Sequence, residues 1–357
     1  MPAYQVTATP HSSLFLARER GNRAYRRSFS YIPASTASGA LNSRLYQIGW
    51  DDLMHTFRFS NLYAAYDDDH VWLPAPRTLF RCPACSQVTW MQCFDPASMV
   101  GEMICQECGV MRRPARGFVA VRLTHDSVIH DGPLRERILP LSAQLSGRVA
   151  LHRNTGGQVD GRLHFVEVLR ARGVPFRGSG WVEQSALGTL AAGQRFRLTM
   201  GGLRSRGCGR VTLEMGTTNA AAEPVGENDL LLVETPVLPL PESLRGNPPV
   251  LTARAVSPYA RVEVCERWAA KQLKSSKGLV SFLDVLAVGS VVQVTDGTTA
   301  LWPGLFFYWM EGTRVDLHYI VPQAFPNDPV IGDEYTIEEL WTLGFGQLKR
   351  LVGSHVA

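Results

Sequence analysis

The alternation of apolar and polar positions predicts most of the elements. Tyr4 to Thr9 alternates, with Val6 and Ala8 on one face, and reads as a first strand. His11 to Ala17, where Leu14 and Leu16 alternate, reads as its continuation. Arg18 to Arg27 follows as a loop, marked by its charge and by Gly21. Tyr31 and Ile32 are apolar, Pro33 interrupts the strand, and Ser35 is placed to cap a helix. Ala37, Leu41, Leu45 and Ile48 then recur at helical spacing and define one buried face. Phe118 to Leu123, Arg162 to Arg172, Phe196 to Met200 and Val211 to Met215 read as strands. Beyond them lie Thr252 to Val256, Ala260 to Val264 and the β-branched run Val288 to Val294. Thr336 with Glu339 forms a capping box that opens a helix through Leu340 and Leu343. Strands with a few helices between them predict an α+β protein.

Proline divides the chain. Five prolines fall between Pro236 and Pro249, a density that favours an extended, stiff connector. The expected organisation is an N-terminal unit over residues 1–235, a linker over 236–249 and a C-terminal unit over 250–357. A chain of 357 residues with 45% hydrophobic content is long enough for two such cores.

The net charge of +4 is mild, and its distribution is the informative part. Residues 1–50 carry six arginines, Arg23, Arg26, Arg27 and Arg44 among them, against the single acid Glu19. A basic face of this kind is a candidate anion-binding surface. No apolar run approaches the roughly 20 residues that span a membrane. The N-terminus lacks the order of a signal peptide, so a cytoplasmic protein without a membrane partner is expected. Asp67, Asp68 and Asp69 read as a solvated turn.

Gly201 to Val211, GGLRSRGCGRV, packs four glycines and three arginines into eleven residues. Glycine permits positive φ and close backbone approach, and arginine offers a planar fork suited to phosphate oxygens. No acid occurs from Gln184 through Leu213, while Arg195, Arg197, Arg204, Arg206 and Arg210 all lie in that window. The same residues also suit a basic turn between two strands. LGFGQLKRL, residues 343–351, is a weaker echo, with Gly344 and Gly346 ahead of Lys349 and Arg350.

Cys82-Pro-Ala-Cys85 and Cys105-Gln-Glu-Cys108 are two Cys-x-x-Cys knuckles separated by nineteen residues. Each knuckle sets two thiolates on one turn, and a pair of knuckles completes a tetrahedral four-cysteine shell for structural zinc. The insertion spans residues 79–116, with Cys93 as a spare thiol and Cys208 and Cys265 as small buried hydrophobes. Arg112, Arg113 and Arg116 follow the second knuckle as a solvated face or a further RNA contact.

The catalytic motifs are missing. Nine histidines include no metal motif and no nucleophile signature, and neither a Walker loop nor a dinucleotide fingerprint occurs. His11, near the basic loop, is the one histidine placed to act as a base.

GGLRSRGCGRV resembles the glycine-rich loop of the RAMP superfamily of CRISPR-associated proteins, and SYIPASTASGALNSR resembles that superfamily's Ile-Pro-Gly-Ser segment, with Ala34 where glycine is usual. VGSVVQV and LGFGQLKRL resemble the strand and loop of a second such unit. The pattern is most similar to the type III-D capping subunit. The resemblance implies tandem ferredoxin-like (RRM-type) RAMP domains with a four-cysteine zinc-finger insertion. It implies an antiviral-defence ribonucleoprotein in which this subunit grips the 5′ handle of a CRISPR RNA. Backbone RAMP subunits and a large polymerase-like effector subunit are the implied neighbours, and target RNA is met indirectly. The implied RNA contacts are Gly201, Gly202, Arg204, Ser205, Arg206, Gly207, Gly209 and Arg210 in the loop, with Tyr31, Ser35, Thr36 and Arg44 at the helix start. Arg23, Arg26, Arg27, Gly344, Gly346, Lys349 and Arg350 extend this set. Target-cutting relatives carry an aspartate before the Ile-Pro segment, and Arg18 to Ser30 has none, so no catalytic residue is expected. The alternatives are a RAMP endoribonuclease that processes CRISPR RNA through His11 or Tyr25, and an unrelated zinc-ribbon regulator that binds DNA.

Overall fold

The computed structural model describes residues 3–17, 25–91, 100–124, 127–137, 141–148, 164–182, 186, 193–216, 226–237, 251–254, 259, 262–266, 274–275, 278–279, 282–296, 308–310, 319–320 and 348–353. Strands dominate, and the protein is α+β. The predicted helix at Thr336, most of the proline-rich connector and Cys93 lie outside the described residues.

The first sheet runs in the spatial order Arg195–Thr199, Arg210–Met215, Ala3–Pro10, Phe176–Val182, Phe57–Phe59, with Tyr63–Ala64 also paired to Phe176–Val182. Every neighbouring pair is antiparallel. The helix Ala34–Gln47 connects the first strand to Phe57–Phe59 and lies on one face. Its Ala37, Leu41 and Leu45 are fully buried against Val6, Ala8, Phe196, Leu198, Val211 and Leu213. Burying each leucine stabilises the fold by about 1.5–3 kcal/mol, which outweighs the modest helix propensity of a segment with three serines and a threonine.

The helix begins at Ala34 with Pro33 as its N-cap, and no side chain of its own caps it. Ser35, expected as the cap, instead lies buried in the first turn. The ring holds Pro33 at φ −60°, and its ψ of 142° is extended, so the helix starts immediately after it. The free Ala34 amide is satisfied from a distance, by the Asn61 side-chain carbonyl at 2.9 Å.

A second, eight-stranded sheet runs in the order Tyr308–Met310, Leu251–Arg254, Val291–Asp296, Leu230–Val233, Leu348–Gly353, Ser127–Arg135, Phe118–Leu123, His70–Pro74. Leu230–Val233, which precedes the prolines, therefore pairs with strands from beyond them. Numbered first to fourth along the chain, Leu230–Val233, Leu251–Arg254, Val291–Asp296 and Leu348–Gly353 follow one another across the sheet in the order fourth, first, third, second. The first sheet repeats that order with Ala3–Pro10, Phe57–Phe59, Phe176–Val182 and Arg210–Met215. The expected loop at 343–351 is a strand from Leu348 onward. A core of Val71, Leu73, Val119, Val121, Leu232, Val291 and Leu351 backs the eight-stranded sheet. Among the described residues no helix is long and apolar enough to cross a membrane.

Candidate nucleic-acid interface and candidate metal centre

The glycine-rich segment links the paired strands Arg195–Thr199 and Arg210–Met215. It is clamped onto the stretch that follows the first strand. Gly202 N donates to Phe15 O at 2.9 Å, Gly209 N to Ser13 O at 2.9 Å, and Arg210 N to Ser12 Oγ at 3.0 Å. A Cβ at Gly201 would stand 2.5 Å from Phe15 O, and one at Gly209 would collide with Met200 O. Both have positive φ, as do Leu203 and Gly207. These glycines therefore serve close packing within the chain, and the amides of Gly202 and Gly209 are already spent there.

The tip is different. Arg204 to Arg206 form one short 3₁₀ turn, and Arg204, Ser205, Arg206, Gly207 and Arg210 are exposed. Arg204 Nε donates to Gly201 O at 2.9 Å, which steadies the side chain over the loop. Leu203 and Cys208 anchor the base against Phe15, Val166 and Val168, so Cys208 is partly buried.

Strand alternation carries the basic surface onto the sheet. Phe196, Leu198, Val211 and Leu213 face the helix, which turns Arg195, Arg197, Arg210 and Thr212 to the opposite face. Register sets Arg195, Glu214, Thr7 and Arg177 in one row, and Arg197, Thr212 and Thr9 in the next. Arg195 pairs with Glu214 at 2.9 Å. His11 Nε2 lies 2.7 Å from Thr212 Oγ1, at the end of the same face. In the sequence Arg195 and Arg197 stand out only as part of an acid-free stretch. Their two-residue spacing was the signal that they share a face.

The other expected contacts divide. Arg27 is exposed, Thr36 and Arg44 are half-buried, and Arg44 shares a shallow groove with Trp50, Arg195 and Arg197. Arg26 lies in a short strand paired with Phe165–Val166. Tyr31 is buried against Phe29 and Tyr63, and Ser35 is buried in the helix start, so neither is at the surface. Lys349 is a correction: its side chain has 0% exposure and sits 3.7 Å from Glu234. Its ammonium donates to Thr124 O at 2.8 Å and Ser179 Oγ at 3.1 Å. Arg350 pairs with Asp229 at 3.1 Å. Arg23, Gly344 and Gly346 lie outside the described residues.

The cysteine knuckles are built alike. Ser86 N donates to Cys82 O at 3.0 Å and Cys82 N to Gln87 O at 2.8 Å. Gly109 N and Cys105 N repeat the pattern with Cys105 O at 2.8 Å and Val110 O at 3.0 Å. Each turn closes on a positive-φ residue, Ser86 or Gly109. The four sulfurs lie within 4.8 Å of one another, with Cys82 to Cys108 at 3.3 Å and Cys85 to Cys105 at 3.6 Å. A tetrahedral zinc with Zn–S near 2.3 Å requires sulfurs about 3.8 Å apart, so the donor set fits.

The Glu107 amide is the largest influence holding the Cys105 thiol down to about 6, and the Cys85 amide leads the lowering at Cys82. At Cys85 the Gln87 amide pulls down, but burial and the neighbouring thiols prevail and push it up to about 12. Cys82 and Cys105 therefore give up their protons more easily than Cys85 and Cys108, whose protons a metal would displace. Arg112, expected among surface cations, is buried and donates to Glu102 O at 2.8 Å, bracing the second knuckle.

No protein-family model matches the sequence, and no curated protein matches it. Among solved structures, the chain is similar to one in the type III-B Cmr-beta complex bound to cognate target RNA, with 11% identity over 81% of this chain and 86% of that one, at TM-score 0.42. It is similar to a chain of the Csm1–Csm4 cassette in complex with pppApA, with 14% identity over 90% and 100% of the two chains, at TM-score 0.35. Cmr4 is a third neighbour, with 13% identity over 60% and 100%, at TM-score 0.24. At these TM-scores the function has to be argued from the geometry.

Proposed function

We propose that the chain is a non-catalytic, RNA-binding subunit of a type III, III-D-like CRISPR effector complex. In this reading it grips the 5′ handle of the CRISPR RNA and caps the backbone filament in the cytoplasm. Its partners are backbone RAMP subunits and a large polymerase-like subunit, and it meets target RNA through the guide. The observation that carries the reading is the glycine-rich loop, whose backbone is fixed to residues 13–15 while Arg204, Arg206 and Arg210 stand in solvent, joined to a strand that carries Arg195 and Arg197 on its exposed face. A rigid loop that presents guanidinium forks grips phosphates with little ordering cost. The repeated fourth-first-third-second strand order supports two tandem ferredoxin-like units. The four-thiol cluster supports structural zinc, which would close a hairpin too small to have its own core.

Arg204→Ala with Arg206→Ala is expected to weaken guide-RNA binding about tenfold or more and to lower the salt slope by roughly 1.4, at about 0.7 per lost phosphate contact. Fluorescence anisotropy across a salt series measures both, and unchanged affinity at physiological salt counts against the proposal. One observation favours an endoribonuclease instead, namely His11 at 2.7 Å from Thr212 Oγ1 beside Arg210. Cleavage of a labelled repeat RNA that His11→Ala abolishes would establish that second reading.

A further inference from the structure

The root of the cysteine hairpin carries a second cationic site that shares no residue with the glycine-rich loop. Arg81 ends the strand leading into Cys82, and Arg113 is its register partner on the returning strand. Like charges directly opposed across an antiparallel pair weaken the pairing. Arg77 and Arg116 flank them, and the four side chains line one cleft of about 760 Å³. That volume falls in the range of small-molecule sites, about 300–1,000 Å³. Among the described residues the one carboxylate on its wall is Glu136, 3.7 Å from Arg81 and 83% exposed, so water screens it and it offsets little of the charge of Arg81.

The walls are fixed backbone. Ala115 N donates to Leu79 O at 2.7 Å, Ala75 N to Gly117 O at 3.0 Å, and Arg77 N to Gly289 O at 2.9 Å. A Cβ at Gly117, where φ is +94°, would stand 2.6 Å from Glu136 Cα, so glycine lets the two sides of the cleft close together. The backbone that carries the cations is thus held in place without a ligand.

We infer that this cleft binds a chain of phosphates. Arg81 already donates to Ser86 Oγ at 3.0 Å, so Arg113 and Arg116, both exposed, are the cations a ligand meets first; a lone carboxylate could neutralise one of them, whereas a phosphate chain brings a negative charge with each link and oxygens that guanidinium forks engage in pairs. The chemistry is common to the backbone of a nucleic-acid strand and to a free polyphosphate.

Isothermal titration of the full chain with tripolyphosphate tests the site. In the Arg204→Ala/Arg206→Ala chain, where the loop no longer grips phosphates, one-site binding is expected, and adding Arg113→Ala/Arg116→Ala weakens it at least about tenfold because two charged donors are lost. Both residues are exposed, so the pair of substitutions leaves the fold intact. Arg204→Ala/Arg206→Ala should keep tripolyphosphate in the cleft even where guide-RNA binding has failed, because the cleft shares no residue with the loop. A short single-stranded RNA that displaces tripolyphosphate from that variant assigns the cleft to a strand backbone; tripolyphosphate that stays in place assigns it to a free polyphosphate. No binding by the Arg204→Ala/Arg206→Ala chain, or binding to it that survives the added Arg113→Ala/Arg116→Ala, overturns the inference.

Discussion

Lys349 shows how a single residue escapes a linear reading. Beside Gly344, Gly346 and Arg350 it looks like one more solvent-facing cation. In the fold it is a strand residue with no exposure, held by Glu234, Thr124 and Ser179. Removing a charge from water costs several kcal/mol, and the partner charge with two oxygen acceptors offsets that cost. Cutting the pair leaves the other charge stranded. Lys349→Ala is therefore expected to lose about 3–5 kcal/mol of stability, while Lys349→Met combined with Glu234→Leu recovers most of it. Urea unfolding of the single and double variants measures the difference, and additive losses would refute the coupling.

At the scale of elements, local backbone chemistry was legible. The Cys-x-x-Cys turns need only their own spacing and a residue that tolerates positive φ, and both knuckles have these. The helix register was equally readable, because Ala37, Leu41 and Leu45 repeat at helical spacing. Its start was not, since Asn61 supplies the cap acceptor from twenty-seven positions away. Leu79, Phe80 and Met91 tie the root of the hairpin into the second core, whereas residues 83–87 and 106–111 around the knuckles are exposed, so metal should contribute most of the local order there. Chelation is expected to speed amide exchange over residues 79–91 and 100–116 well before the two sheets respond. Hydrogen-exchange mass spectrometry makes the comparison, and unchanged exchange there would rule out a structural metal.

Across the whole molecule, a buried polar junction ties the first sheet to the second. Asn61 joins the helix start to the Glu234 carbonyl, and Lys349 reaches Ser179 in the first sheet. Burial pushes the Glu234 carboxyl from an ordinary 4.5 up to about 7, against the pull of Lys349 and Ser60. The folded state then binds that proton more tightly than the unfolded chain. Its contribution to stability is full below about 4.5 and is lost as pH rises to about 7. His70, raised chiefly by its bond to Asp67 with Asp131 on the other side, also contributes most below 6.5 and fades as pH climbs. Thermal melts from pH 4.5 to 7.5 should fall less steeply in Glu234→Gln than in the unaltered chain, with the His70 component common to both. Equal slopes would mean that Glu234 is not the titrating group.

The sequence alone determined what depends on neighbours in the chain: the period of the strands and the helix, the two thiol turns, and the cationic glycine-rich segment. Each follows from side-chain spacing and φ preference, which act over a few residues. Tertiary structure decided what depends on distant partners. It set which arginines share the open face of the first sheet, and it spent the Gly202 and Gly209 amides on residues 13–15. It also buried Lys349 against Glu234 and brought Arg81 opposite Arg113. Burial and charge pairing are properties of position in space, and residues more than a hundred positions apart in the chain, such as Glu234 and Lys349, acquire them only when the sheets assemble.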